Sequence, residues 1–243
     1  MIREVVIVAA GLGSRLQSMG SGEVVLKPLC QVGGKPLLAW VMEKCARSGV
    51  ETVHLVTGFE AGRLVDAVSS WDLKLQVKPA FNPDFKLSNG ISLLVGAKQT
   101  AGDFALLMSD HLFEDATLTR MLNLDLGADK AVLGVDYKID QVFDLDDATR
   151  VLSQGDRIID IGKSIDKYNC VDTGMFVLSK QATVSALEEA VVRRGDASIS
   201  DAMKLFIGTG AMRAWDLGTA LWQDVDDPAM FGNAEELLSR GVF

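Results

Sequence analysis

The sequence predicts an α/β fold, a doubly wound, mostly parallel, Rossmann-like sheet in a three-layer α/β/α arrangement with a small antiparallel β addition. Two observations lead to this prediction. Through the first 136 residues, apolar runs alternate with helical patterns, which is typical of parallel strands joined by crossover helices. Beyond residue 150 the apolar runs become shorter and are interrupted by polar turns, which indicates the antiparallel addition.

The elements follow in order along the chain. The run VVIVA at 5–9 predicts a strand that is covered on both faces, and it leads into a glycine-rich turn. Pro36 begins a helical pattern that ends before Gly49. Later strands are predicted at 52–57, 73–79, 103–109, 130–136, twice within 150–163, at 170–179 and within 222–228. Later helices are predicted at 60–70, 90–100, 180–191, 198–207 and 228–240, and a Pro-broken loop at 81–89.

Composition and charge exclude several classes of protein. The chain has 243 residues, of which 48% are hydrophobic, and this predicts one folded globular domain. Its net charge of -9 argues against a general nucleic-acid binder. Three cysteines without a CxxC pair predict reduced thiols. With no secretory segment and no apolar run of about 18 residues, we expect a cytoplasmic protein without a membrane span.

The turn after the first strand predicts an anion site of an unusual kind. It reads Gly11-Leu12-Gly13-Ser14-Arg15-Leu16, so leucine stands where a dinucleotide-binding turn has its third glycine. The P-loop pattern is absent as well. What remains is a turn whose backbone can approach a phosphate closely, at the sheet edge where ligands of such folds bind. The alternative is an ordinary strand-to-helix connection.

Six segments resemble one enzyme family. AAGLGSRL (9–16) and LKPLCQVGGKPLL (26–38) resemble the nucleotidyltransferases that activate sugars and alcohol phosphates, a MobA-like family. NGISLL (89–94), LLMSDHLF (106–113), CVDTGMFVL (170–178) and WQDVDDP (222–228) follow in the family's order. Within the family, the chain is most similar to the CTP:inositol-1-phosphate cytidylyltransferases. Leu26 departs from the pattern, because the family usually has a proline there, whereas Lys27 keeps the lysine position.

The resemblance implies an enzyme that transfers CMP from CTP to an alcohol phosphate, most simply inositol-1-phosphate, to give CDP-inositol and pyrophosphate. Mg²⁺ is the implied cofactor. The implied fold is a single nucleotidyltransferase domain, 1–243, with a nucleotide-binding half at about 1–135 and an acceptor-binding half at about 136–243. The acceptor phosphate is already an anion near neutral pH, so no general base is needed. This suits a chain with two histidines.

For the nucleotide, the resemblance implies two cationic catalytic residues. Arg15 and Lys27 would hold the β- and γ-phosphates, although a solvated loop lysine is the alternative for Lys27. Lys35 is a further candidate for a phosphate contact. Asn89 is also a good N-cap for the predicted helix at 90–100. The other implied nucleotide-binding positions are Ala9, Ala10, Gly11, Gly13, Ser14, Asn89, Gly90, Ser92 and Asp110.

For the metal, the resemblance implies Asp110 and Asp226, and Mg²⁺ is usually held by one or two carboxylates. Asp224 is the rival second ligand, because a period of two places it on the same strand face as Asp226. The same period places Asp110 and His111 on opposite faces. We therefore expect His111 to be structural, or to lie behind the ligands, and not to share the metal.

For the acceptor, the implied residues are Lys163, which would meet the phosphate, and Asp172, Thr173 and Gly174. A carboxylate at Asp172 suits the vicinal hydroxyls of a polyol, whereas choline would require an aromatic cage. Aromatic residues are sparse near 163–174, which places inositol above choline. A phosphonate or phosphocholine acceptor, a sugar phosphate with UTP or dTTP, and a catalytically silent nucleotide-binding module remain alternatives. The sequence also leaves a homo-oligomer open.

Overall fold

The computed structural model describes residues 1–13 and 26–243. Its strands are β1 (Glu4–Val8), β2 (Gln31–Val32), β3 (Lys35–Pro36), β4 (Thr52–Thr57), β5 (Gln76–Phe81), β6 (Phe104–Met108), β7 (His111–Phe113), β8 (Ala131–Asp136), β9 (Arg150–Gln154), β10 (Arg157–Gly162), β11 (Cys170–Leu178), β12 (Met212–Asp216) and β13 (Trp222–Asp224). Its helices are α1 (Leu37–Arg47), α2 (Ala61–Ser69), α3 (Asn89–Gln99), α4 (Asp115–Leu122), α5 (Lys180–Arg194), α6 (Ile199–Gly208) and α7 (Pro228–Ser239). The predicted nucleotide contacts Ser14 and Arg15 lie outside the described residues.

One nine-stranded sheet, in the order β5-β4-β1-β6-β11-β8-β12-β10-β9, carries the fold. β5, β4, β1 and β6 are parallel to one another, and β8 is parallel to β12. β11 is antiparallel to its neighbours β6 and β8, and β9 and β10 form the predicted antiparallel addition. The α/β class is confirmed, with a sheet that is parallel from β5 to β6 and mixed beyond it.

Helices cover both faces of the sheet. Val5 and Ile7 of β1 pack with α1, α2 and α4 on one face, whereas Val6 packs with α3, α5 and α6 on the other. This accounts for the uninterrupted apolar run of β1, because a strand buried on both faces has no polar side. None of the helices in the described parts of the chain is long and apolar enough to cross a membrane.

The antiparallel β11 brings two halves of the chain to one sheet edge. Val171 of β11 pairs with Asp136, the last residue of β8, so β11 begins at the edge where the parallel strands end. Asp110 follows β6 at this same edge. Residues from the second half of the sequence therefore face the glycine turn of the first half. In sheets of this kind, ligands bind at such an edge.

The predicted elements agree best with the observed ones where the apolar run in the sequence is long. The strand at 52–57 is observed as Thr52–Thr57, while the strand predicted at 73–79 lies at Gln76–Phe81. α4, β2, β3, β7 and β12 were not predicted. β7 is three residues long and pairs with β13, more than a hundred residues away in sequence. Local pattern carries no signal of such a partner.

A close approach between α3 and the sheet provides a test of the packing. A Cβ atom on Gly96 would lie 2.5 Å from Val6 Cγ1 and 2.8 Å from Val56 Cγ2. We expect Gly96→Ala to lower the free energy of unfolding, measured in urea, by about 1–3 kcal/mol, because these core side chains have no room to yield. Gly62→Ala is the control, since a Cβ on this helical glycine meets nothing within 4 Å. Equal stabilities of the two variants would contradict this account of the α3 contact.

Candidate active site

Two adjoining cavities open at the sheet edge where β1 and β6 end. The first, the glycine-turn cavity, has a volume of about 330 Å³. It is lined by Val8, Ala9, Gly11, Gly13, Lys27, Pro28, Phe85, Leu87, Asn89, Ser92, Met108, Ser109, Asp110 and Asp226. The second, the Asp172 cavity, has a volume of about 230 Å³ and includes His111, Asp147, Lys163, Asp172, Gly174, Trp222 and Asp224 in its lining. The cavities meet at Asn89, Met108 and Asp226, which line both.

Lys27 lies between two carboxylates in the glycine-turn cavity. Its Nζ donates to Asp110 Oδ2 and to Asp226 Oδ1. Three separate segments meet here, since Lys27 begins a 3-10 turn, Asp110 follows β6, and Asp226 follows β13. The side chains of Lys27, Asp110 and Asp226 are only 11%, 21% and 23% exposed. Lys27 is therefore an enclosed cation and not a solvated loop lysine.

The charges of this cluster stabilise one another. Burial by itself would lower the pKa of Lys27, but the carboxylates of Asp110 and Asp226 outweigh it and raise that pKa. Burial would likewise raise the pKa of Asp110, yet the Lys27 ammonium and His111 hold it well below its usual range. The lysine and the aspartate are therefore both charged at neutral pH, as a site that binds phosphate or a cation requires.

The glycine turn packs directly against Lys27. Gly13 has a φ of 59°, and a Cβ atom there would lie 2.7 Å from Lys27 Cβ, so only glycine fits this conformation and this contact. Gly11 faces open space in the cavity. Ala9 lines the cavity, whereas Ala10 is buried and its carbonyl accepts from Phe59 N. Of the nucleotide contacts predicted in this turn, Ala10 therefore uses its carbonyl within the fold and does not line the cavity.

The residues predicted from NGISLL have different positions. α3 begins at Asn89, so Asn89 does not cap its own helix as expected; its Oδ1 accepts from Ile199 N at the start of α6. Ser92 lines the glycine-turn cavity. Gly90 does not line either cavity: it packs against the residues just before α6, where a Cβ atom would lie 2.5 Å from Ala197 O.

The expectation that His111 points away from Asp110 is wrong. A turn separates β6 from β7, so the two residues are not strand neighbours, and His111 Nδ1 lies 2.6 Å from Asp110 Oδ1. The imidazole stacks on Trp222 with ring centroids 5.9 Å apart and packs over Gly174, where a Cβ atom would lie 2.7 Å from the ring. His111 thus lies behind Asp110 and orients its carboxylate.

Asp172 and Lys163 both line the Asp172 cavity. Asp172 Oδ1 accepts from Gly174 N at 2.7 Å, and Gly174 has a φ of 73° at an irregularity of β11. Lys163 is 59% exposed, and its Nζ lies 2.5 Å from Asp147 Oδ1. Thr173 faces the other way: its hydroxyl donates to Gly134 O, and its side chain is outside the cavity lining.

Asp224 and Asp226 share the Asp172 cavity, but only Asp226 also contacts Lys27. Burial raises the pKa of the Asp224 carboxyl. Lys35 is not part of either cavity, because its Nζ pairs with Glu43 at 2.6 Å and lies over the Trp40 ring.

Trp222 and Asp147, which sequence reasoning did not assign to the acceptor side, line the Asp172 cavity. In the sequence Trp222 looks like an ordinary packing residue. Its place in the Asp172 cavity depends on the pairing of β7 with β13.

Comparison with known proteins identifies the family. Residues 5–204 match the family described as the MobA-like NTP transferase domain. The chain belongs to this family. A bifunctional IPC transferase and DIPP synthase of Aquifex aeolicus (strain VF5) is 30% identical in an alignment 249 residues long, which covers 99% of the chain and 53% of that protein. The corresponding protein of Rubrobacter xylanophilus is 29% identical over 96% of the chain and 51% of its own length. The chain thus spans about half the length of these curated relatives.

Solved structures of similar proteins have the same fold. The inositol-1-phosphate CTP transferase from T. maritima is 30% identical, with a TM-score of 0.85, over 98% of the chain and 96% of that structure. A putative glucose-1-phosphate thymidylyltransferase from Bacillus anthracis has a TM-score of 0.80 at 18% identity over 96% of the chain and 94% of that structure, a likeness of fold. The chain is thus a nucleotidyltransferase domain of the MobA-like family, and the two cavities are its candidate substrate sites.

The Asp172 carboxyl gives a prediction for stability against pH. Burial raises its pKa from 3.8 to about 6, although the Gly174 N–H and His111 act in the other direction. Between these pH values the folded protein binds the proton more tightly than the unfolded chain, so the contribution of Asp172 to stability falls as the pH rises. We therefore expect Asp172→Asn to raise the free energy of unfolding at pH 8 and to change it little near pH 4.

Urea unfolding at several pH values measures this difference. The control is Asp72→Asn, which removes an exposed carboxylate, and we expect its stability curve to run parallel to that of the wild type. If the Asp172→Asn curve also ran parallel to the wild-type curve between pH 4 and 8, the carboxyl would titrate normally, and the account of its burial would be wrong.

Proposed function

We propose that the protein transfers CMP from CTP to inositol-1-phosphate and releases pyrophosphate, with Mg²⁺ as cofactor. One observation carries the proposal: Asp226 lines both adjoining cavities and also belongs to the charged cluster of Lys27, Asp110 and Asp226. A transfer reaction needs two substrates whose reacting atoms meet at one point. A charged cluster at the junction of two cavities suits that requirement.

The glycine-turn cavity suits the nucleoside triphosphate. Lys27 and the backbone of Gly11 and Gly13 supply positive charge and close access at one end. In the proposed reaction, Lys27 leaves its carboxylates to contact the β- and γ-phosphates, and Arg15 joins it there. Both residues stabilise the charge of the departing pyrophosphate.

Asp110 and Asp226 suit a magnesium ion. Both direct a carboxylate oxygen at the Lys27 ammonium, so the site already holds one cation between them. Within residues 1–13 and 26–243, no group of three or more His, Cys, Asp or Glu side chains could hold a metal by itself. Magnesium commonly has one or two carboxylate ligands and takes substrate phosphates and waters for the rest. When bound, the ion neutralises phosphate charge.

The Asp172 cavity suits the acceptor. In the proposed complex the Asp172 carboxylate accepts hydrogen bonds from vicinal hydroxyls, and Lys163 turns from Asp147 to the acceptor phosphate. Trp222 and His111 form one aromatic wall, which suits the apolar face of an inositol ring. The whole-length similarity to the inositol-1-phosphate CTP transferase of T. maritima supports this acceptor.

The chemistry requires no general base from the protein. An oxygen of the acceptor phosphate attacks the α-phosphorus, the new P–O bond forms, and the bond to the β-phosphate oxygen breaks as pyrophosphate leaves. The second pKa of a phosphate monoester is about 6, so the attacking oxygen is already ionised at pH 7. The contribution of the residues is therefore position and charge.

Pyrophosphate release tests the assignment of substrates. With Mg²⁺ present, we expect release from CTP with inositol-1-phosphate, and much less with UTP, dTTP, ATP or GTP. Release with CTP and phosphocholine or a phosphonate, but not with inositol-1-phosphate, would keep the reaction and overturn the acceptor. Tight CTP binding without release for any acceptor would favour a silent nucleotide-binding module.

Substitution of the acidic residues tests the metal site. We expect Asp110→Asn and Asp226→Asn each to lower kcat by about 10²–10³-fold, because each removes a charge that acts on the triphosphate. Activity should vanish with EDTA and return with Mg²⁺. Asp224→Asn is the matched comparison: a loss as large as that of Asp226→Asn would make Asp224 the second ligand. Full activity of Asp110→Asn would refute the assignment.

A further inference from the structure

A buried hydrogen-bonded pair lies in the wall of the glycine-turn cavity, and the chemistry above does not use it. Asn82 is 1% exposed and Ser92 is 4% exposed. Asn82 Nδ2 donates to Ser92 Oγ at 2.9 Å. Ser92 lines the cavity, and Asn82 lies behind it. Such a buried pair fixes the direction of the hydroxyl that reaches the cavity.

The loop backbone determines which way the Asn82 amide faces. Asn82 Oδ1 accepts from Asp84 N at 2.9 Å, so a flipped amide would set its NH₂ group against the Asp84 N–H. The NH₂ group therefore faces Ser92. A serine hydroxyl has one hydrogen to donate and two lone pairs to accept with, and Ser92 uses one lone pair to accept from Asn82. Over the described ranges of the chain, the Ser92 hydrogen has no acceptor within the protein. Turning the second lone pair toward a ligand would leave this buried hydrogen unpaired, so the hydroxyl favours donation into the cavity.

The lining of the glycine-turn cavity has both charged and apolar residues. Lys27, Asp110 and Asp226 supply the charges of the lining, whereas Phe85 and Leu87 supply apolar surface. The loop that carries Phe85 also carries Asn82, and the Asn82 bond ties this loop to Ser92. Apolar surface with one directed polar group is what a planar nucleobase requires.

We propose that Asn82 sets the nucleobase preference by holding the Ser92 hydroxyl as a donor toward the base. The proposal rests on the proposed function, since it takes the glycine-turn cavity as the nucleotide site. Cytosine has an acceptor at N3, where uracil has an N–H donor. In the proposed arrangement the Ser92 hydroxyl meets ring position 3 of the base, where a donor pairs with cytosine N3 and opposes uracil N3–H. Asn82 is a positioning residue, because it acts on the base through Ser92.

Asn82→Asp reverses the polarity without changing the shape. A carboxylate only accepts, so it draws the Ser92 hydrogen to itself and leaves the hydroxyl lone pairs toward the base, where they match uracil N3–H. We expect the ratio Kd(UTP)/Kd(CTP), measured by calorimetry with Mg²⁺ at pH 8.5, to fall by about tenfold or more, the scale of one unpaired buried polar group. The added negative charge weakens both triphosphates alike and cancels in the ratio.

Two further variants separate this effect from a change in folding. Ser92→Ala removes the hydroxyl, and we expect the ratio to fall toward one. Asp84→Asn changes the charge of an exposed side chain in the same loop but keeps the backbone N–H, so the ratio should stay at the wild-type value. A wild-type ratio in Asn82→Asp, or a fall in Asn82→Asp without one in Ser92→Ala, would overturn the proposal.

Binding measurements also keep this inference distinct from the proposed function. If the protein releases no pyrophosphate but the Kd ratio falls in Asn82→Asp, the positioning role stands and the proposed reaction fails. If CTP supports pyrophosphate release but the ratio is unchanged in Asn82→Asp, the reaction stands and the positioning role fails. Thermal unfolding of each variant shows that the ratios come from folded protein, and Ser92→Ala decides the matter if Asn82→Asp does not fold.

Discussion

The arrangement of the site depends on a single electrostatic constraint, the enclosure of the Lys27 ammonium by the Asp110 and Asp226 carboxylates. Two largely buried carboxylates repel each other and are costly to ionise unless a cation compensates them. The compensating cation comes from a turn near the N-terminal end, and the two acids come from strand ends that are 116 residues apart, at positions 110 and 226. The pairing of β13 with β7, in a separate two-stranded sheet, places these ends side by side, so the fold and the charge balance of the site require each other.

Close backbone approaches complete the arrangement around these charges. Gly13 lets the turn lie on Lys27, and Gly174 lets β11 pass beneath His111, which in turn holds Asp110. Both glycines have positive φ angles, so a side chain would be strained as well as crowded. The same residues thus carry backbone turns and fix side-chain positions. This explains why two segments that line the candidate site contain glycine at these points.

The sequence was sufficient for the parts of the site that rest on local pattern. Continuous apolar runs predicted β1 and β4, and the segments that resemble the family pointed to Lys27, Asp110 and Asp226, whose side chains the structure brings together. The rest depends on pairing between distant segments. The β7–β13 ladder, which places Trp222 beside His111, joins three-residue strands that have no periodicity of their own. The hydrogen bond that Asn89 accepts from Ile199 likewise depends on the packing of α6. The orientation of Thr173 away from the cavity depends on the bond that its hydroxyl donates to Gly134 O. Period-two reasoning failed at His111, because a turn there ends the strand.

The Lys27 cluster also links the two proposed substrates. In the proposed reaction, Lys27 cannot move to the triphosphate and leave Asp110 and Asp226 uncompensated, because two enclosed carboxylates without a cation are unstable. Nucleotide binding and cation binding must therefore be coupled, and the coupling is reciprocal. Asp226 also lines the Asp172 cavity, so the same exchange changes the charge that the acceptor meets. An anionic acceptor is repelled by a bare carboxylate and tolerated by a neutralised one. The geometry thus favours an order in which the nucleotide, with its cation, prepares the junction for the acceptor phosphate.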